Sequence, residues 1–155
     1  MFSPYKYISS YGCSESQYLL EAPLPEIKRS FDYSVVVPVY CETSDFLTLM
    51  ESLSKASEAS HHQVLIIIIA NHCVDAPLAD KKENRDFWAT WSRKIHIWKK
   101  HEEPHRLIWG EWKNLTTLWV DRISSGRELP HKRGVGLARK IGSDIGCVLF
   151  MRGLL

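Results

Sequence analysis

Residues 33–39, YSVVVPV, and residues 64–69, VLIIII, decide how this chain folds. Both are consecutive apolar runs, largely β-branched, without the alternation of a half-exposed strand. That is the pattern of strands covered on both faces in a parallel sheet. Between them Phe46, Leu49, Met50, Leu53 and Ala56 recur at helical spacing over about 45–58 and give the segment one apolar face. Strand, helix and strand make a βαβ unit, whose crossover is expected to be right-handed. The expected fold class is therefore α/β, a Rossmann-like parallel sheet flanked by helices.

Outward from this unit the signals become more local. Pro38 lacks an N–H and is expected to end the first ladder, after which Tyr40 to Ser44 lead into the helix and His61 and His62 occupy the turn beyond it. Downstream, Phe87, Trp88, Trp91, Ile95 and Trp98 form a stripe at helical spacing inside a charged stretch, read as core packing rather than a cofactor face. A third short strand is expected at Thr116 to Val120. A polar loop with Ser124, Ser125, Gly126 and Pro130 follows, and then a helix from Val135 to Cys147 with Leu137, Ala138, Ile141 and Ile145 inward. Residues 1–30, which contain Pro23 and Pro25, read as an extended N-terminal segment draped over a domain formed by 31–155.

Composition narrows the function classes. With 45% hydrophobic and 25% charged residues the chain can bury a core, so disorder is not expected. Twenty basic against eighteen acidic residues leave a net charge of +2, too small for a global field that would attract nucleic acid or an anionic membrane, so any anion site must be local. Cys13, Cys41, Cys73 and Cys147 include no CxxC pair, which favours reduced thiols in a cytoplasmic protein over disulfides or a zinc site. No secretory h-region is evident, and the longest apolar run, 64–70, is far shorter than the roughly 20 residues of a membrane span. No transmembrane segment is expected.

Three motif matches are set aside on physical grounds. His101-Glu102-Glu103-Pro104-His105 satisfies the H-E-x-x-H pattern literally, but that motif needs a continuous helix, which Pro104 interrupts at a cost of about 3 kcal/mol. Gly134-Val135-Gly136 opens like a dinucleotide fingerprint, yet Arg139 fills the third glycine position and a polar loop precedes it. Lys99, Lys100, Lys132 and Arg133 with nearby tryptophans suggest a single-strand nucleic-acid surface, which Glu102, Glu103 and Glu111 dilute.

Parallel sheets bind ligands beyond the carboxyl ends of their strands. The loops at 38–44, 70–77 and 121–134 fall there. They supply Pro38, Tyr40 and Glu42, then Asn71 and Asp75, then Lys132 and Arg133. An aromatic face, a carboxylate and a cationic pair suit a base, a ribose and a diphosphate.

VVVPVYCE at 35–42 resembles the opening strand and P-x-Y-N-E loop of family 2 glycosyltransferases. IIIIANHCVD at 66–75 resembles their second strand and D/N-x-S-x-D turn, and KRGVGLARKIG at 132–142 their G-x-x-x-A-R-N-x-G helix. The resemblance covers about 31–150 and implies an incomplete GT-A-type domain. It implies that Pro38, Val39 and Tyr40 bind the base, that Asp75 lies beside base or ribose, and that Lys132 or Arg133 meets base or diphosphate; Glu42 falls on the family's loop acid and Asn71 on a position often held by Asp. Cys41 and Lys140 stand where the family has Asn. The donor would be a UDP- or GDP-sugar. A complete family member adds an Asp-x-Asp, absent from this sequence, that holds Mn or Mg on the diphosphate. No metal site and no sugar transfer by this chain alone are therefore expected. The alternative is a non-catalytic nucleotide-binding or partner-dependent α/β module, able to form a homo-oligomer through an exposed sheet edge.

Overall fold

The computed structural model describes residues 3–27 and 30–155. Ten elements follow one another: α1 (Pro4–Tyr11), α2 (Ser14–Leu19), β1 (Tyr33–Val39), α3 (Thr43–Ser60), β2 (Val64–Asn71), α4 (Leu78–Trp91), β3 (His96–His101), β4 (Leu107–Trp112), β5 (Leu115–Arg122) and α5 (Val135–Met151). The strands form one sheet in the order β1-β2-β5-β4-β3. β1 and β5 both pair parallel with β2, in the register Val36 to Ile67 to Leu118.

The apolar run of β2 is explained by its place in the middle of the parallel part. Leu65, Ile67 and Ile69 face one core with Ile8, Leu19, Ile141, Ile145 and Val148 of α1, α2 and α5. Ile66, Ile68 and Ala70 face the other, with Phe46 and Met50 of α3 and Phe87, Trp88 and Trp91 of α4. A strand with both faces covered cannot alternate, which is the reading the sequence invited.

The sheet is mixed rather than wholly parallel. β4 pairs antiparallel with both β3 and β5, because only Lys113 and Asn114 separate β4 from β5 and so short a link can join only antiparallel strands. Lys113 takes the left-handed conformation, φ 53°, that this turn requires. The aromatic stripe of 87–98 is likewise divided. Phe87, Trp88 and Trp91 lie on α4, Ile95 is buried in the turn, and Trp98 stands 40% exposed on edge strand β3. Spacing at 3.6 residues held for the first three positions and was coincidence for the last two.

Two further expectations are corrected in detail. Pro38 does not end β1, which continues to Val39; β1 is an edge strand, where a missing N–H can face away from the ladder. The N-terminal segment is not extended but forms α1 and α2, which lie against α5. Ser3 caps α1 by accepting the Lys6 N–H, and Pro4 fills its first turn. Asp144 of α5 fastens both helices, accepting from the Tyr7 hydroxyl at 3.1 Å and the Cys13 N–H at 2.9 Å while pairing with Lys140. All four cysteines are free thiols, and among the described residues no helix is long and apolar enough to cross a membrane.

Candidate functional site

At the carboxyl ends of β1 and β2 the loops after both strands meet the start of α5 around a cavity of about 510 Å3. Pro38, Tyr40, Glu42, Asn71, Asp75 and Lys132 line it. Residues from three stretches of sequence are thus brought to one place by the parallel order of the strands. Val39 and Arg133 are not among the lining residues. Val39 is 1% exposed in the core below, and its carbonyl accepts from Asn71, whereas Arg133 lies exposed beside Lys132.

The first loop is held from outside by α4. Cys41 adopts φ 52°, and its N–H donates to Asn84 Oδ1 at 3.0 Å. Asn84, 1% exposed, donates in turn to the Asp80 carbonyl at 2.9 Å. The Tyr40 hydroxyl donates to the Asp80 carboxylate. That bond, followed by burial, pushes the phenol up to about 12, so the ring is neutral at physiological pH.

The second loop is joined to the third. Asn71, at the end of β2, donates its amide N–H groups to the carbonyls of Val39 at 3.0 Å and Ile69 at 3.1 Å, tying β1 to β2. Beyond it, the Leu129 N–H donates to the His72 carbonyl and the Val74 N–H to the Leu129 carbonyl. Asp75 pairs with His131 Nδ1 at 2.6 Å, with both side chains about half exposed. Lys81 Nζ on α4 donates to the Val74 carbonyl at 2.6 Å, so the turn is braced from both sides.

The third side is the start of α5. Lys132 sits at φ 58°, and Gly134 takes the N-cap position without a side-chain cap. The first N–H groups of a 17-residue helix therefore open at the cavity beside a lysine, an arrangement that favours an anion. Asp121, at the end of β5, is a structural carboxylate: it accepts from the N–H groups of Ile123 and Ser124 and lies 3.5 Å from Arg106.

Sequence reading passed over His72, Cys73, Ala76, Pro77, Gly134 and Val135, which also line the cavity. The loops that carry them were in view; which side chains turn inward depends on the pairing of the second and third loops. His101 ends β3 and His105 lies in the loop beyond it, so the H-E-x-x-H match has no helix to stand on. Comparison with protein-family models, with curated proteins and with solved structures finds no match to this chain.

Proposed function

We propose that this chain binds a nucleotide diphosphate sugar, of the UDP or GDP class, as the donor-binding part of a family 2-type glycosyltransferase. The observation that carries the reading is the convergence of three separate motif-like stretches on one cavity. A volume of about 510 Å3 lies within the range of roughly 300–1,000 Å3 usual for small-ligand sites. In this reading the base lies against the neutral Tyr40 ring, Asp75 accepts from ribose or base, and Lys132 with the α5 N-terminus receives the diphosphate. Glu42 stands at the cavity wall near the sugar.

In the family the sequence resembles, a divalent ion offsets the charge of the departing diphosphate. Among the described residues no three His, Cys, Asp or Glu side chains are grouped to hold one. The proposal for this chain is donor binding.

Calorimetric titration with UDP- and GDP-sugars, with and without manganese, tests the reading. One nucleotide class should bind, and Tyr40→Ala and Asp75→Ala should each weaken it at least about tenfold, equivalent to about 1.4 kcal/mol. A folded sample that gives no heat with either class overturns the proposal.

A further inference from the structure

His72 follows β2 and is fixed through its main chain: its N–H donates to the Arg122 carbonyl at 3.2 Å and its carbonyl accepts from the Leu129 N–H at 2.9 Å. The residue is 1% exposed and is one of those around the cavity, with both ring nitrogens buried. Neither ring nitrogen has a hydrogen-bond partner among the described residues. The contrast with Asn71 one position earlier is sharp, since that amide is bonded to two carbonyls. Buried polar atoms are nearly always partnered, and leaving one unpaired costs about 1–3 kcal/mol. An unpaired imidazole in the wall of a ligand-sized cavity has an evident source for the missing partner.

The protonation state of the ring indicates which kind of atom that partner is. Lys81 and Arg85 of α4 act on the ring to lower its titration, and Glu128 of the loop before α5 and Asp121 of β5 act to raise it. Burial first, and then Lys81, hold the imidazole below its usual range, so the ring is neutral near pH 7 in the free protein. A neutral imidazole carries one N–H to donate, and the acceptors that a nucleotide sugar offers it are oxygens.

We propose that His72 is a ligand-contact residue of this cavity, donating its ring N–H to an oxygen of the bound nucleotide sugar, and that binding draws a proton from solvent onto the ring. The inference rests on the nucleotide-sugar reading above. A phosphate or carbonyl oxygen at that nitrogen stabilises imidazolium more than imidazole. By linkage, affinity then strengthens as pH falls towards the ring's own titration range.

UDP-glucose and GDP-mannose are suitable probes, because their diphosphate esters do not themselves titrate between about pH 5.5 and 8. Calorimetry in buffers of different ionisation enthalpy should show proton uptake on binding. Affinity should rise several-fold over that interval as pH falls. In His72→Gln the uptake should vanish while weaker binding remains. His131, paired with Asp75 of the cavity wall, serves as the control, and His131→Gln should retain the uptake. In the unaltered protein, NMR titration of the His72 ring with and without ligand reads its protonation without recourse to any variant. Binding with buffer-independent heats, uptake that survives His72→Gln, or a ring titration unmoved by ligand overturns the role of His72 and leaves donor binding standing. Absence of binding by either sugar nucleotide removes both.

Discussion

Tyr40 is 41% exposed at the cavity and is held by its hydroxyl bond to Asp80 of α4. Ionising the phenol would set two negative charges in contact, and so its titration moves up from 10.0 to about 12. In an alkaline absorbance titration, one of the six tyrosines should ionise near pH 12, and Asp80→Asn should bring it back towards pH 10. A titration in which no tyrosine is delayed contradicts the bond. At this scale the sequence shows the residues that line the cavity better than those that support them. Tyr40, Glu42 and Asp75 are visible as polar or aromatic residues at strand ends. Asp80 and Asn84 are not, because they lie on a helix some forty residues beyond Tyr40 and Cys41 and meet that loop only once β1 and β2 have paired.

Among elements, α5 and β1 approach closely at Gly142. A Cβ added at Gly142 would lie 2.2 Å from Val36 Cγ1, so this glycine sets how closely helix and strand approach. Gly142→Ala should cost about 1–3 kcal/mol, despite the better helix propensity of alanine, because the neighbour is a stiff branched side chain. Urea unfolding checks it: Val36→Ala in the same chain should recover part of the loss, and a neutral or stabilising Gly142→Ala would show that the interface yields. The elements legible in the sequence are those whose pattern matches their burial, namely β1, α3, β2, α5 and the strand expected at Thr116 to Val120, which is β5. β4 was missed because Gly110 and two tryptophans lie within a short run beside charged residues, and β3 because its helical spacing continued from α4 by chance. Helices α1 and α2, of eight and six residues, are too short to announce themselves by propensity and depend on Asp144, Arg152 and the core for their stability.

For the whole molecule, packing around the sheet takes three histidines out of water at separate places, His72 and His101 fully and His105 in part. His72 lies in the cavity wall, His101 bonds Tyr18 at 2.8 Å under α2, and His105 lies near Glu15 and Arg122. Burial is the leading cause in each case and lowers all three below the usual imidazole value. Between that value of 6.5 and the lower folded-state values the unfolded chain binds more protons than the folded one. Stability must therefore rise with pH through this window, be lost as pH falls through it and level off below it, with a slope of at most about 1.4 kcal/mol per pH unit for each ring. Urea midpoints at about pH 7.5, 6.0 and 5.0 should decline in that order with little change in m-value, since the same surface is exposed on unfolding. Replacing His101 by Gln should flatten part of the decline, because glutamine need not charge; midpoints that do not move between pH 7.5 and 5.0 would mean that the buried rings already find compensating partners. The same titration links stability to the cavity. A ligand that allows His72 to accept its proton should shift part of the acid loss to lower pH, so the decline should be shallower in saturating UDP- or GDP-sugar than in its absence.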